Sequence, residues 1–318
     1  MVSLWLSVFS ALALQTSAQR RVEDLFDVDF TTNNEGGCKY VGVENLNRVF
    51  ADSLTLAESG LSAVFDFVAD EPEAVRLVET YFKPAIPQDL WQIEERYTRV
   101  QDWITNGGPI INGLNIRPQL YCHHGFAEKK RMSDIAMDTN CQPVLDENGI
   151  GVEIGRMNQY IEAWYKKADE LHLPLHKVFP YFQKKTCRYY FDMAYAGGVN
   201  TGFCSRQIKL GCLSHTVDGS WVTLCPSSFN TTNRRSSNWH YTTLDEAELR
   251  PIPIVQIPTV GTWPLVAQTI VDIQPTATTL FHELFHLVLA LAYYYTMNIE
   301  PNPTGHRVEF FTGYTTQG

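Results

Sequence analysis

Between residues 43 and 83 the apolar positions recur three and four apart, in "VENLNRVFADSLTLAESGLSAVFDFVADEPEAVRLVETYF". That period predicts two or three amphipathic helices, broken near Gly60 and near Pro72. "PQDLWQIEERYTRVQDWITNGG", ending at Gly108, continues the theme, with Asp89 as an N-cap and the glycines as a stop. The middle of the chain is less regular. Cys122 and Cys141 bracket a polar stretch, "HHGFAEKKRMSDIAMDTN", that a disulfide could close into a loop. "MNQYIEAWYKKADELH" predicts another helix, and "RQIKLGCLSHTVDGSWVTLCPSSF" alternates around Asp218-Gly219 as a β-hairpin does. After the proline-rich "RPIPIVQIPTVGTWP", a helix begins near Pro275 or Thr276 and meets no Gly or Pro up to Asn298. Such a helix would run about 23 residues, about 34 Å. The pattern as a whole predicts an α+β fold with a helical part over 43–116 and a part over 117–318 that holds a small, mostly antiparallel sheet and the last helix.

The N-terminus changes where this chain is expected to work. Residues 4–14 are an apolar run too short to span a bilayer, followed by small residues ending at Ala18, the layout of a secretory signal peptide over 1–18. Residues 19–37 then read as a linker or short pro-segment, and Arg20-Arg21 as a solvated pair or a processing site. Export to an extracellular location agrees with seven cysteines, none in a CxxC pair, in a chain of 318 residues. The odd count leaves one thiol free or paired elsewhere. Asn230, in "NTT", is a glycosylation sequon beside a Cys-Pro turn. A net charge of -10 argues against nucleic acid or an anionic membrane surface as the main partner. The expected state is a monomer.

The candidate chemistry lies in "TTLFHELFHLVLALAYYYTMN", residues 278–298. On a helix, positions i and i+4 share a face, so His282 and His286 can aim imidazole nitrogens at one zinc ion. Glu283 is rotated about 100° round the axis, which separates a catalytic base from the ligands. Uncharged neighbours, Thr279, Leu280, Leu284, Phe285, Leu287 and Val288, suit a partly buried active-site helix. Another pair, His123-His124, reads as exposed histidines beside a disulfide. No GxSxG-type nucleophile motif occurs.

"VTLCPSSF", Val222 to Phe229, some fifty residues before "TLFHELFHLV", resembles the secreted fungal metallopeptidases related to deuterolysin and the lysine-specific metallo-endopeptidases, a zincin-type family. The similarity is most specific over Cys187 to Val288. It implies a zincin-like fold, zinc as cofactor, protein or peptide substrates and endopeptidase activity. It makes His282 and His286 zinc ligands and Glu283 the catalytic glutamate.

One part of the family pattern is missing. Its third ligand is an Asp in a Gly-Thr-x-x-Asp sequence that follows the second His after a turn, and here no Asp occurs beyond Asp272. Two readings stand. In one, the tail supplies the ligand: Glu309 lies 23 residues after His286, His306 lies 20 and Glu300 lies 14. Alternatively, the turn and third ligand are absent near Leu289, which would leave a catalytically impaired zincin-like scaffold or binding protein.

Overall fold

The computed structural model describes residues 20–82, 87–108, 117–193, 202–205, 210–216, 219–229, 244 and 275–297. Six helices and seven strands are found among them. α1 (Val22–Leu25) and β1 (Asp27–Val28) lead into α2 (Val43–Val68), α3 (Pro72–Tyr81) and α4 (Pro87–Asn106). β2 (Gln119–Tyr121), β3 (Ala127–Lys129), α5 (Asn158–Glu170), β4 (Val178–Gln183) and β5 (Arg188–Met193) follow. β6 (Gly211–Thr216), β7 (Gly219–Leu224) and α6 (Ala277–Met297) complete the set.

α2 is one helix of 26 residues, not two. Its buried face, Leu46, Val49, Phe50, Ser53, Ala57, Leu61 and Val64, keeps helical spacing through the expected break. The buried Ser53 hydroxyl donates to the Val49 carbonyl at 2.7 Å, so it carries no unmet hydrogen bond. Gly60 has a packing role. A Cβ there would lie 2.0 Å from Cε1 of Tyr97, so the glycine lets the Tyr97 ring of α4 rest on the α2 backbone. Pro72 opens α3 at its first turn, where its missing N–H costs nothing. Asp89 lies inside the first turn of α4 and is not its N-cap, since the helix already begins at Pro87. The glycine stop is where expected: the Gly107 amide donates to the Trp103 carbonyl at 2.9 Å.

The strands form two small sheets. The first has the order β1-β2-β7-β6, with β1-β2 and β2-β7 parallel and β7-β6 antiparallel. The second, β3-β4-β5, is antiparallel throughout. The β6-β7 register pairs Thr216 with Gly219, and the expected hairpin is present. This is a mixed α and β protein, in keeping with the α+β expectation, and its parallel strands were not expected.

One core joins the helices to the first sheet. Leu46, Phe50, Trp103, Leu120, Val222, Leu224, Leu280, Leu284 and Leu287 are all buried in it. Each such side chain contributes about 1.5–3 kcal/mol on leaving water. A second cluster, Tyr121, Phe126, Tyr181 and Trp221, fills the space between the sheets. α5 covers the outer sheet through Ala168, Val178 and Phe191, and the Trp164 indole N–H donates to the Leu175 and Val178 carbonyls.

Three disulfides are present, Cys38–Cys122, Cys141–Cys187 and Cys204–Cys225. The loop expected between Cys122 and Cys141 is therefore not closed by a bridge. Cys122 instead ties the end of β2 to the N-terminal segment across 84 residues, which limits the unfolded chain by roughly 4–5 kcal/mol in the chain-entropy picture. Cys212, on β6, stands outside the three pairs. Among the described residues, no helix is long and apolar enough to cross a membrane.

Candidate metal centre

α6 starts just after Pro275, whose carbonyl accepts from the Thr278 amide at 3.1 Å. Ala277, Leu280, Leu284, Leu287 and Val288 are buried and fix which side of the helix meets the core. At 100° per residue, His282 and His286 then fall on the opposite side, and both are exposed. Their ring centroids are 4.8 Å apart and their Nε2 atoms 3.1 Å apart. The expected convergence of the two imidazoles is present.

The flanks of this face differ. On one side Phe281 and Phe285 stack edge-on at 5.0 Å and enclose Tyr97 of α4, whose ring lies 5.1 Å from that of Phe285. On the other side Glu283, only 5% exposed, turns toward β6. A Cβ at Gly211 would lie 3.1 Å from the Glu283 Oε1 atom and 2.9 Å from Thr279 Cγ2. Gly211 thus lets an edge strand pass close to the Glu283 and Thr279 side chains of α6. Sequence reasoning missed this residue, although a glycine inside a strand is the usual mark of close backbone approach.

The two Nε2 atoms sit at a spacing that two ligands of one tetrahedral ion would share. A tetrahedral site with Zn–N of about 2.0–2.1 Å places neighbouring nitrogens about 3.3 Å apart, near the spacing found here. Partial burial lowers the pKa of both histidines, and His282 lowers that of His286 further. Ligation requires neutral rings, and this direction favours them.

The set stops at two. Among the described residues no group of three or more His, Cys, Asp or Glu side chains could hold a metal. α6 also continues as helix to Met297, so the chain does not reverse directly after His286. Glu300, His306 and Glu309 lie outside the described residues, and so does Asn230.

The other histidine pair is not exposed. His123 and His124 are 2% and 3% exposed, because β2 carries them into the space between the sheets. His123 accepts from the Gly125 amide at Nδ1, and its Nε2 lies 2.9 Å from the Asn33 carbonyl, which leaves neither nitrogen for a metal. His124 is boxed edge-on by Phe126, Tyr181 and Tyr190. Its Nε2 lies 3.1 Å from the Tyr190 hydroxyl and 3.7 Å from Asp192 Oδ2. Burial, with a smaller effect from His123, pushes its pKa down to about 3 in spite of the nearby carboxylate.

Comparison of the chain with known protein families, with curated proteins and with solved structures finds no match.

Proposed function

We propose that this chain is a secreted, zinc-dependent endopeptidase of zincin type, with His282 and His286 as zinc ligands and Glu283 as general base. The observation that carries this reading is the division of α6. Two imidazoles converge on its outer face, while the intervening carboxylate is buried beside Gly211. The three disulfides support export. A helix and sheet sharing one core beneath the histidines support the zincin-like fold.

Zinc bound there would supply Lewis-acid polarisation of the scissile carbonyl and an activated water. Glu283 would serve as the base, taking a proton from water at Oε1 or Oε2 and giving it to the departing amine nitrogen. The substrates are proteins or peptides.

A second reading is favoured by the unbroken run of α6 to Met297 and the two-donor set among the described residues. In it the chain binds zinc, or a partner, without turnover. Peptide hydrolysis by the purified chain, compared with Glu283→Gln, separates the two. Zinc-dependent cleavage that this substitution abolishes supports the peptidase. Zinc retained with no cleavage in either form supports the scaffold.

A further inference from the structure

We infer that zinc joins two copies of this chain, with His282 and His286 of each copy completing one four-imidazole site. The inference rests on the reading that these histidines hold zinc, and it goes further by naming what fills the remaining positions. Zinc in a closed protein site takes four ligands in a tetrahedron, so the two histidines brought together among the described residues are half of one. The pair projects from the side of α6 directly opposite its buried leucines, with both rings exposed. Nothing within residues 287–297 folds back over it, since that stretch continues the same helix.

A two-fold axis through the ion would present the identical pair from a second copy and supply the two missing nitrogens, with the same surface used on both sides. The surroundings suit such a contact. Phe281, Phe285 and Leu289 flank the histidines and are each only partly buried, so pairing would cover apolar area next to the ion. No acidic side chain among the described residues lies exposed between the two histidines, because Glu283 is buried beside Gly211. Four imidazoles leave no position for water. The bridged pair is therefore a closed, inactive form, and the monomer expected from sequence is its metal-free or otherwise completed counterpart.

The test uses the purified chain without a polyhistidine tag, stripped of metal and titrated with zinc chloride while its mass is followed by sedimentation velocity. The expected result is a doubling of mass that saturates at half an equivalent of zinc per chain and reverses with EDTA. His282→Ala and His286→Ala should each abolish the doubling while leaving the circular dichroism spectrum unchanged, as exposed positions allow. X-ray absorption of the zinc form should show a first shell of four imidazole nitrogens. A monomer that takes one full equivalent would overturn the bridging and keep the zinc reading, with the missing ligand coming from elsewhere in the same chain. A dimer that forms without zinc, or survives His282→Ala, would overturn the bridging as well. Failure to take up zinc at all would remove both.

Discussion

The molecule holds two histidine pairs that differ in almost every physical respect. His123 and His124 are neighbours in sequence and lie buried between the two sheets, whereas His282 and His286 are four apart on a helix and exposed. Adjacent residues leaving a strand point in different directions, so the first pair divides its hydrogen bonds, one ring serving Asn33 and Gly125 and the other facing Tyr190 and Asp192. Residues four apart on a helix point the same way, and the second pair converges to 3.1 Å. Pairing in sequence is thus a poor guide to whether two imidazoles converge. Spacing matched to the period of the element is a good one.

The sharpest test of that contrast is truncation of the buried pair. His124→Ala removes a ring packed against three aromatics and strips Tyr190 and Asp192 of their neighbour, and should cost about 2–4 kcal/mol in chemical denaturation. Zinc uptake should not change. A loss of zinc binding in this variant with the fold intact would erase the distinction between the pairs.

Gly211→Val comes next. The added side chain would meet Thr279 and the Glu283 carboxylate at sub-contact distance, so stability should fall by about 1–3 kcal/mol and any Glu283-dependent cleavage should fall with it. Zinc uptake measured on the same protein shows whether the exposed pair depends on the strand beside it.

Acid should act on the buried pair first. The folded pKa of His124, about 3, lies below its ordinary value of 6.5, and that of His123 is lowered by burial too. The unfolded chain therefore binds more protons between these values, and stability is lost as pH falls from about 6.5 toward 3. His124 alone should account for up to about 2 kcal/mol between pH 6.5 and pH 5. Urea midpoints across that range, compared between the wild type and His124→Phe, isolate its share as a shallower slope in the variant.

The smallest effect is expected on the stability of His282→Ala in metal-free buffer. An exposed position of this kind changes stability by no more than about 0.5 kcal/mol. A drop of several kcal/mol in thermal denaturation would mean that the outer face of α6 is covered in the folded protein.

Much of this could be read ahead of the structure, for reasons that vary by element. The long helices and the β6-β7 hairpin were legible because a 3.6-residue or two-residue period persists over enough positions to stand out. The α2 break at Gly60 was misplaced, since a glycine that admits a neighbouring ring looks in sequence like one that ends a helix. β4 and β5 went unseen, although "VFPYFQ" and "RYYFDM" pair across all six positions, because Pro180 and an unbroken aromatic run hide the alternation. β1 and β2, two and three residues long, carry no period at all. The partner of Cys122 lies 84 residues earlier at Cys38, a choice made by the packing of the N-terminal segment against β2 and not by any local spacing. Within the candidate site, the convergence of His282 and His286 was legible from helix geometry. Gly211, which lies beside the Glu283 carboxylate, belongs to another element and became visible only when the strand and helix were placed together.

The central claim is that His282 and His286 form one metal site on the outer face of α6, with Glu283 serving a separate role beside it. Calorimetric titration of zinc into the metal-free chain, into His282→Ala and into Glu283→Gln, tests it most directly. Tight binding to the wild type and to Glu283→Gln, with at least about a tenfold loss in His282→Ala, is the expected result. Binding that ignores His282→Ala, or no binding in any of the three proteins, would contradict it.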